Sequence, residues 1–235
     1  MGGGDKCLLT VGRRPILAHI AERLGPQCDA LALNANGDPT RFSAFGLPVF
    51  ADDIPGFAGP LAGLLAGMEW GAASAPLRPH AEVLTEGEPR STHDLVRASF
   101  EAPLRGAPQD EDVGGNGRYL LTVPGDTPFL PYDLVSRLIA ARDAEGATIA
   151  CASSQGRMHP TVGLWPLSLR DDLRAALAEG ERSIGRFARR YPLAVVEWGG
   201  EPDPFLNVNE PGDLEKAQET RSPSPLAGEG GTAKP

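Results

Sequence analysis

Four side chains in this sequence could do chemistry together: Lys6, Asn34, Asp52 and Asp126. Lys6 follows a glycine run in "MGGGDKCLL". Glycines permit positive φ and let backbone N–H groups approach an anion closely. An ammonium beside them adds a point charge, and the pairing is what a triphosphate needs. A flexible chain end would account for the glycines as well. Asp126 lies in "VPGDTP", directly behind an apolar run. A carboxylate there suits Mg²⁺, which prefers hard oxygen ligands and phosphates; an Asx turn or a helix cap would use the same residue. Asn34, in "LALNAN", offers a donor and an acceptor on one amide, which fits a base edge or ribose, or simply a turn. Asp52 ends "LPVFAD" and could accept from a base or sugar, or hold a metal through water. Its neighbour Asp53 is a reminder that acids at strand ends are also plain surface residues.

The elements that would carry these residues alternate between helix and strand. Residues 15–24 read as a helix with Pro15 at its first position and Ile16, Leu17, Ile20 and Leu24 on one face. Residues 30–33 and the run around Val49 and Phe50 read as short buried strands with polar exits. A helix of small residues starts near Pro60. Residues 119–123 are a strand, and "PYDLVSRLIAARDA" is an amphipathic helix. "ATIACAS", "HPTVGLWP" and "LAVVEW" are further strands. The helix in "LSLRDDLRAALAEG" is closed by Gly180, and a shorter one is capped by Ser183. A last helix follows "FLNVNEP", with Asn209 as its N-cap. This alternation predicts an α/β, Rossmann-like fold with a mainly parallel sheet and helices on both faces. In such sheets ligands sit beyond the carboxyl ends of the strands, where Asn34, Asp52 and Asp126 all fall.

Two segments break the pattern. Residues 79–117 are rich in proline and acids, poor in aliphatics and without sustained period, and read as a disordered insertion, in which "LVRASF" could form a helical turn or two. Residues 221–235 read as a disordered tail. Residues 1–220 are then one interrupted domain.

The formal net charge of −9 over 235 residues argues against a nucleic-acid binder, while leaving room for an anionic small substrate held by local positive charge. Cys7, Cys28 and Cys151 lack metal-ligand spacing and read as reduced thiols. No apolar run approaches the roughly 18–20 residues of a membrane span, and no signal peptide is evident, so the expected compartment is the cytoplasm.

The order of the motifs is more specific than any one of them. "MGGGDKCLL", "LALNAN", "LPVFADD", "GPLAGLLAGMEW", "YLLTVPGDTPFLP", "HPTVGLWP" and "FLNVNEP" resemble, in sequence order, the molybdenum cofactor guanylyltransferases, a family on the nucleotide-diphospho-sugar transferase-like fold. The resemblance spans residues 1–78 and 118–220. It implies transfer of GMP from GTP to the molybdopterin form of the molybdenum cofactor, with release of pyrophosphate. By motif match Lys6, Asn34, Asp52 and Asp126 would bind GTP, Lys6 and Asp126 would be catalytic, and Asp126 would hold Mg²⁺. Asn207, Asn209 and His159 fall in segments near the pterin side. Molybdoenzymes or cofactor-synthesis proteins are the further partners it implies. Nucleotidyl transfer depends mainly on positioning and on screening developing charge, so a lysine, a metal and backbone donors can suffice. The alternatives are a cytidylyl or sugar-nucleotide transferase on the same fold, or an inactive truncated relative that acts only as a binding module.

The resemblance also implies that the family pattern starts earlier, with an apolar strand, a "LAGG"-type turn and an arginine ahead of the glycine loop. The expectation is an upstream start codon, the rival being a truncated relative. A protein extended by the upstream codons should bind GTP with Mg²⁺ in calorimetry; a folded extended protein without GTP heat would refute the upstream start.

Overall fold

The computed structural model describes residues 5–52, 59–74, 97–101 and 118–208. Gly2, Gly3, Gly4, Asp53, Asn209, the expected last helix and the expected tail lie outside them, as does most of 79–117.

In chain order, a small hairpin of β1 (Thr10–Val11) and β2 (Arg14–Pro15) leads into α1 (Ile16–Leu24). Then come β3 (Leu33–Asn34), a 3₁₀ run (Pro39–Phe45), β4 (Val49–Phe50) and α2 (Pro60–Ala73). β5 (Arg97–Glu101) and β6 (Arg118–Thr122) precede α3 (Leu134–Glu145). β7 (Ile149–Ser154), β8 (Arg157–Pro166), α4 (Arg170–Ala178), α5 (Ile184–Ala188) and β9 (Leu193–Trp198) complete the described order. None of the described helices is long and apolar enough to cross a membrane.

The main sheet has five strands in the order β5-β6-β8-β7-β9. Its interior strand β7, between β8 and β9, is buried on both faces, and its side chains divide by parity. Ala150 and Ala152 join the core formed with α1 and α3, while Ile149 and Cys151 join the core formed with α2, α4 and α5. Leu121 and Leu120 of β6 divide the same way. A strand alternates its side chains across the sheet, so a continuous apolar run demands helices on both sides. Burial pushes the Cys151 thiol up to about 12, so it stays protonated at neutral pH.

The α/β class with two helical layers is as the sequence predicts, but strand directions are more mixed than "mainly parallel". β3–β4 and β7–β9 run parallel. β5–β6, β6–β8 and β7–β8 run antiparallel. The reason lies in a two-residue turn: Gln155 (φ 52°) and Gly156 (φ 72°) reverse the chain between β7 and β8. That geometry belongs to tight hairpins, and a strand so connected cannot be parallel to its predecessor. The second correction concerns "LVRASF": in place of a helical turn, Arg97–Glu101 is an edge strand paired along all of β6. The open ladder of β6 offers backbone partners that composition does not reveal.

One contact ties this core to the strand end where ligands are expected. Trp165, fully buried, donates its indole N–H to Thr122 Oγ1 at 3.0 Å. A Cβ on Gly163 would come within 2.8 Å of that indole nitrogen. Overpacking against a rigid ring costs about 1–3 kcal/mol. Gly163→Ala should therefore lower the unfolding free energy by that amount, read as a lower urea midpoint with an unchanged m-value.

Candidate active site

The short parallel pair β3–β4 delivers two of the four predicted residues to one place. Their register sets Leu33 beside Val49 and Asn34 beside Phe50. Beyond it, Asn34 Nδ2 donates to Asp52 Oδ1 at 2.7 Å and to the Phe50 carbonyl at 3.3 Å. Asn36 Oδ1 accepts from the Asp52 backbone N–H at 2.8 Å. The i, i+2 spacing of "NAN" thus grips Asp52 by carboxylate and backbone together.

The other two come from the β6 exit and from the 3₁₀ turn Lys6–Leu8. A Cβ on Gly125 would lie 3.5 Å from Cys7 Cβ, so the turn carrying Lys6 packs against the one carrying Asp126. The Lys6 charge acts on Asp126 and pulls its pKa down, but burial is the larger influence and the net shift is upward. The Asp126 carbonyl accepts from Val208 N–H at 2.8 Å, and Thr127 Oγ1 donates to Asn207 Oδ1 at 3.1 Å.

Two adjoining hollows lie beside these residues. One, of about 260 Å³, is walled by Asn34, Asp52, the α2 start at Gly59 and Pro60, Thr122 and Thr161. The other, of about 370 Å³, is walled by Asp5, Cys7, Asn34, Asn36, Arg41 and Gly125. Asn34 and Val123 belong to both, so the hollows form one groove along the strand ends. Lys6 and Asp126 are not among the lining residues but adjoin three of them in sequence, Asp5, Cys7 and Gly125. His159 stands apart, bonded to Ser154 and packed on Phe205, whereas Asn207 reaches the Asp126 turn.

Arg41 is a lining residue that the sequence did not single out. Its Nη2 donates to the Asn36 carbonyl at 2.6 Å and its Nη1 to the Asp38 carbonyl at 3.0 Å. Its Nε lies 2.6 Å from Asp5 Oδ2, and its guanidinium stacks 4.3 Å over the Phe42 ring. It therefore joins the Lys6 turn to the β3–β4 loop. The one local signal was "GDPT", where Asp38 caps the 3₁₀ run by accepting from Thr40 N–H.

Comparison with known proteins gives the family. The profile of the MobA-like NTP transferase domain matches residues 1–195. A molybdenum cofactor guanylyltransferase of Rhodopseudomonas palustris (strain BisB5) is 47% identical over 220 residues, which is 93% of this chain and 86% of that protein. One of Mesorhizobium japonicum is 43% identical over 222 residues, 92% of this chain and 88% of its own length. Among solved structures, a molybdopterin-guanine dinucleotide biosynthesis protein A of Archaeoglobus fulgidus aligns with a TM-score of 0.59 at 15% identity, over 93% of this chain and 91% of its own. The 2-C-methyl-D-erythritol 4-phosphate cytidylyltransferase of Thermus thermophilus aligns at 0.52 and 18%, over 94% and 96%. At those identities the two structures speak for the fold.

The upward shift at Asp126 has a consequence for stability. A carboxyl with a raised native pKa binds its proton more tightly folded than unfolded, so stability falls as pH rises through the interval between the two values. At pH 7, above the ordinary carboxylate range, the ligand-free protein bears that cost. Asp126→Asn should therefore raise the thermal midpoint of the ligand-free protein at pH 7, and the difference from the parent should shrink as the pH is lowered below the ordinary carboxylate range.

Proposed function

Because the chain belongs to the MobA-like NTP transferase family, we propose that it transfers GMP from GTP to the molybdopterin form of the molybdenum cofactor and releases pyrophosphate. What supports the reading is the groove lined by the bonded Asn34–Asp52 pair, with Lys6 near enough to Asp126 for its charge to act there and both next in sequence to the lining residues Asp5, Cys7 and Gly125. Residues of these types suit a nucleoside triphosphate: an amide and a carboxylate for base and sugar, an ammonium for the phosphates, and a carboxylate for a cation.

In the reaction an acceptor phosphate oxygen bonds to the α-phosphorus of GTP while the bond to the β-phosphate bridging oxygen breaks. Asn34 and Asp52 fix the nucleoside end, with Asn36 holding Asp52 in place. The Lys6 ammonium lies against the triphosphate and offsets charge that builds on the leaving pyrophosphate. The half-buried walls of the groove keep bulk water from competing with the acceptor.

Asp126 is the residue assigned to Mg²⁺. Among the described residues no group of three or more His, Cys, Asp or Glu forms a protein cage for a metal. A lone desolvated carboxylate fits Mg²⁺ all the same, because this ion keeps several waters and binds through one or two carboxylates together with substrate phosphates. When bound there, the ion supplies charge neutralisation for the phosphates. The reading assigns the work to the cytoplasm.

Purified protein incubated with the molybdopterin cofactor, Mg²⁺ and one nucleotide at a time should release pyrophosphate with GTP, and not with CTP or UTP. Asp126→Asn and Lys6→Ala should each lose roughly 100-fold or more in turnover, the scale for removing one preorganised charge-stabilising group. Turnover with CTP would defeat the proposal and favour a cytidylyltransferase.

A further inference from the structure

The segment 203–208 links a buried hydroxyl to the Asp126 turn. Ser154 is buried and has a single hydroxyl proton. Its Oγ lies 3.0 Å from Asp203 Oδ2 and 2.8 Å from His159 Nε2. An ionised carboxylate can only accept. The Ser154 proton therefore goes to Asp203, and His159 must present Nε2–H to Ser154. The second oxygen, Asp203 Oδ1, accepts from Phe205 N–H at 2.9 Å, while the Asp203 carbonyl accepts from Leu206 N–H at 3.1 Å. These bonds coil the chain so that Phe205 wedges between His159 and Trp198, at ring distances of 5.2 and 5.5 Å. Two residues on, Asn207 takes the Thr127 hydroxyl and Val208 takes the Asp126 carbonyl.

Asp203 thus anchors one end of a strap whose other end grips the backbone at Asp126 and the side chain that follows it. We propose that Asp203 is a positioning residue for Asp126: it fixes residues 203–208 and, through them, the orientation of the carboxylate assigned to the metal. The inference rests on that assignment. Asp203 itself touches neither nucleotide nor metal in this scheme. Its side chain acts across the sheet end, from the β7–β8 hairpin to the β6 exit.

The test measures Mn²⁺ affinity in the presence of GTP, from the electron paramagnetic resonance signal of free Mn²⁺, with thermal midpoints and the ¹⁵N shifts of His159. Asp203→Ala should weaken Mn²⁺ binding about 10-fold, the scale for losing an outer partner of a metal ligand. Leu173→Ala, a cavity variant in the α4 core, should lose stability yet bind Mn²⁺ like the parent. Asp203→Asn can still accept from Phe205 N–H but cannot take the Ser154 proton. Ser154 should then donate to His159 Nε2, moving the imidazole to its Nδ1–H tautomer, with Mn²⁺ affinity between those of the parent and the alanine variant. Parental Mn²⁺ affinity in Asp203→Ala, with binding lost in Asp126→Asn, overturns the strap and spares the metal assignment. Parental affinity in Asp126→Asn overturns both. Should Asp203→Ala fail to fold, Asp203→Asn decides: a parental tautomer with parental affinity refutes the inference.

Discussion

Burial of both faces of the sheet is the constraint on which the rest of this molecule depends. β7 has no side chain facing water, and helices close the sheet above and below. Polar chemistry on such a scaffold is confined to the strand ends. There each strand stops making apolar contacts and its backbone groups need other partners. Asn34 and Asp52 illustrate the rule, since Asn34 ends β3, Asp52 stands two residues past β4, and the two satisfy each other. Asp126 follows β6 in the same manner, four residues past its last paired residue, and is held by Val208 N–H from another part of the chain. The groove is a consequence of where the core ends.

That logic explains what was legible from residues alone. An apolar run that breaks into amides or acids is a local signal, so the β3, β4 and β6 exits could be read directly from "LALNAN", "LPVFAD" and "LLTVPGD". Helix faces were equally plain: Ile16, Leu17, Ile20 and Leu24 of α1 are all fully buried. The Ser183 cap also followed from residue type, and its oxygen accepts from Arg186 N–H. Strand direction was not legible in this way. It depends on the connection, and the Gln155–Gly156 turn is too short and too ordinary in composition to announce a hairpin inside an otherwise α/β pattern. β5 was hidden for a related reason. Its neighbours in sequence are prolines and acids, while its partner β6 lies well downstream, and edge pairing can recruit a segment of weak intrinsic preference.

The long-range polar links were the least legible. Arg41 meets Asp5 across 36 residues, and Ser154 meets Asp203 across 49. Neither pair has a spacing that any periodic pattern encodes. Both nevertheless converge on the same task. Arg41 joins the Lys6 turn to the β3–β4 loop, and Asp203 joins the β7–β8 hairpin to the Asp126 turn. The charged residues of the groove stand on loops, and loops hold an orientation only where such cross-links over-determine them.

The cross-links also bear on the cost of a desolvated carboxylate. Asp126 is less stable as an anion here than in water, since burial outweighs the attraction of Lys6. A carboxylate free to turn toward solvent would shed that cost by rotating out of the groove. The bonds at its own carbonyl and at Thr127 fix the backbone of the turn from which the carboxylate extends. Under the proposed function a cation bound with phosphates would offset that penalty, because a positive charge at the carboxylate favours its ionised form. On the proposed assignment such a penalty would favour the cation-bound protein, since the free protein is destabilised where the bound one would be relieved. On this view the strap from Asp203 and the desolvation of Asp126 belong to one arrangement, in which the first keeps the second from relaxing before substrate arrives.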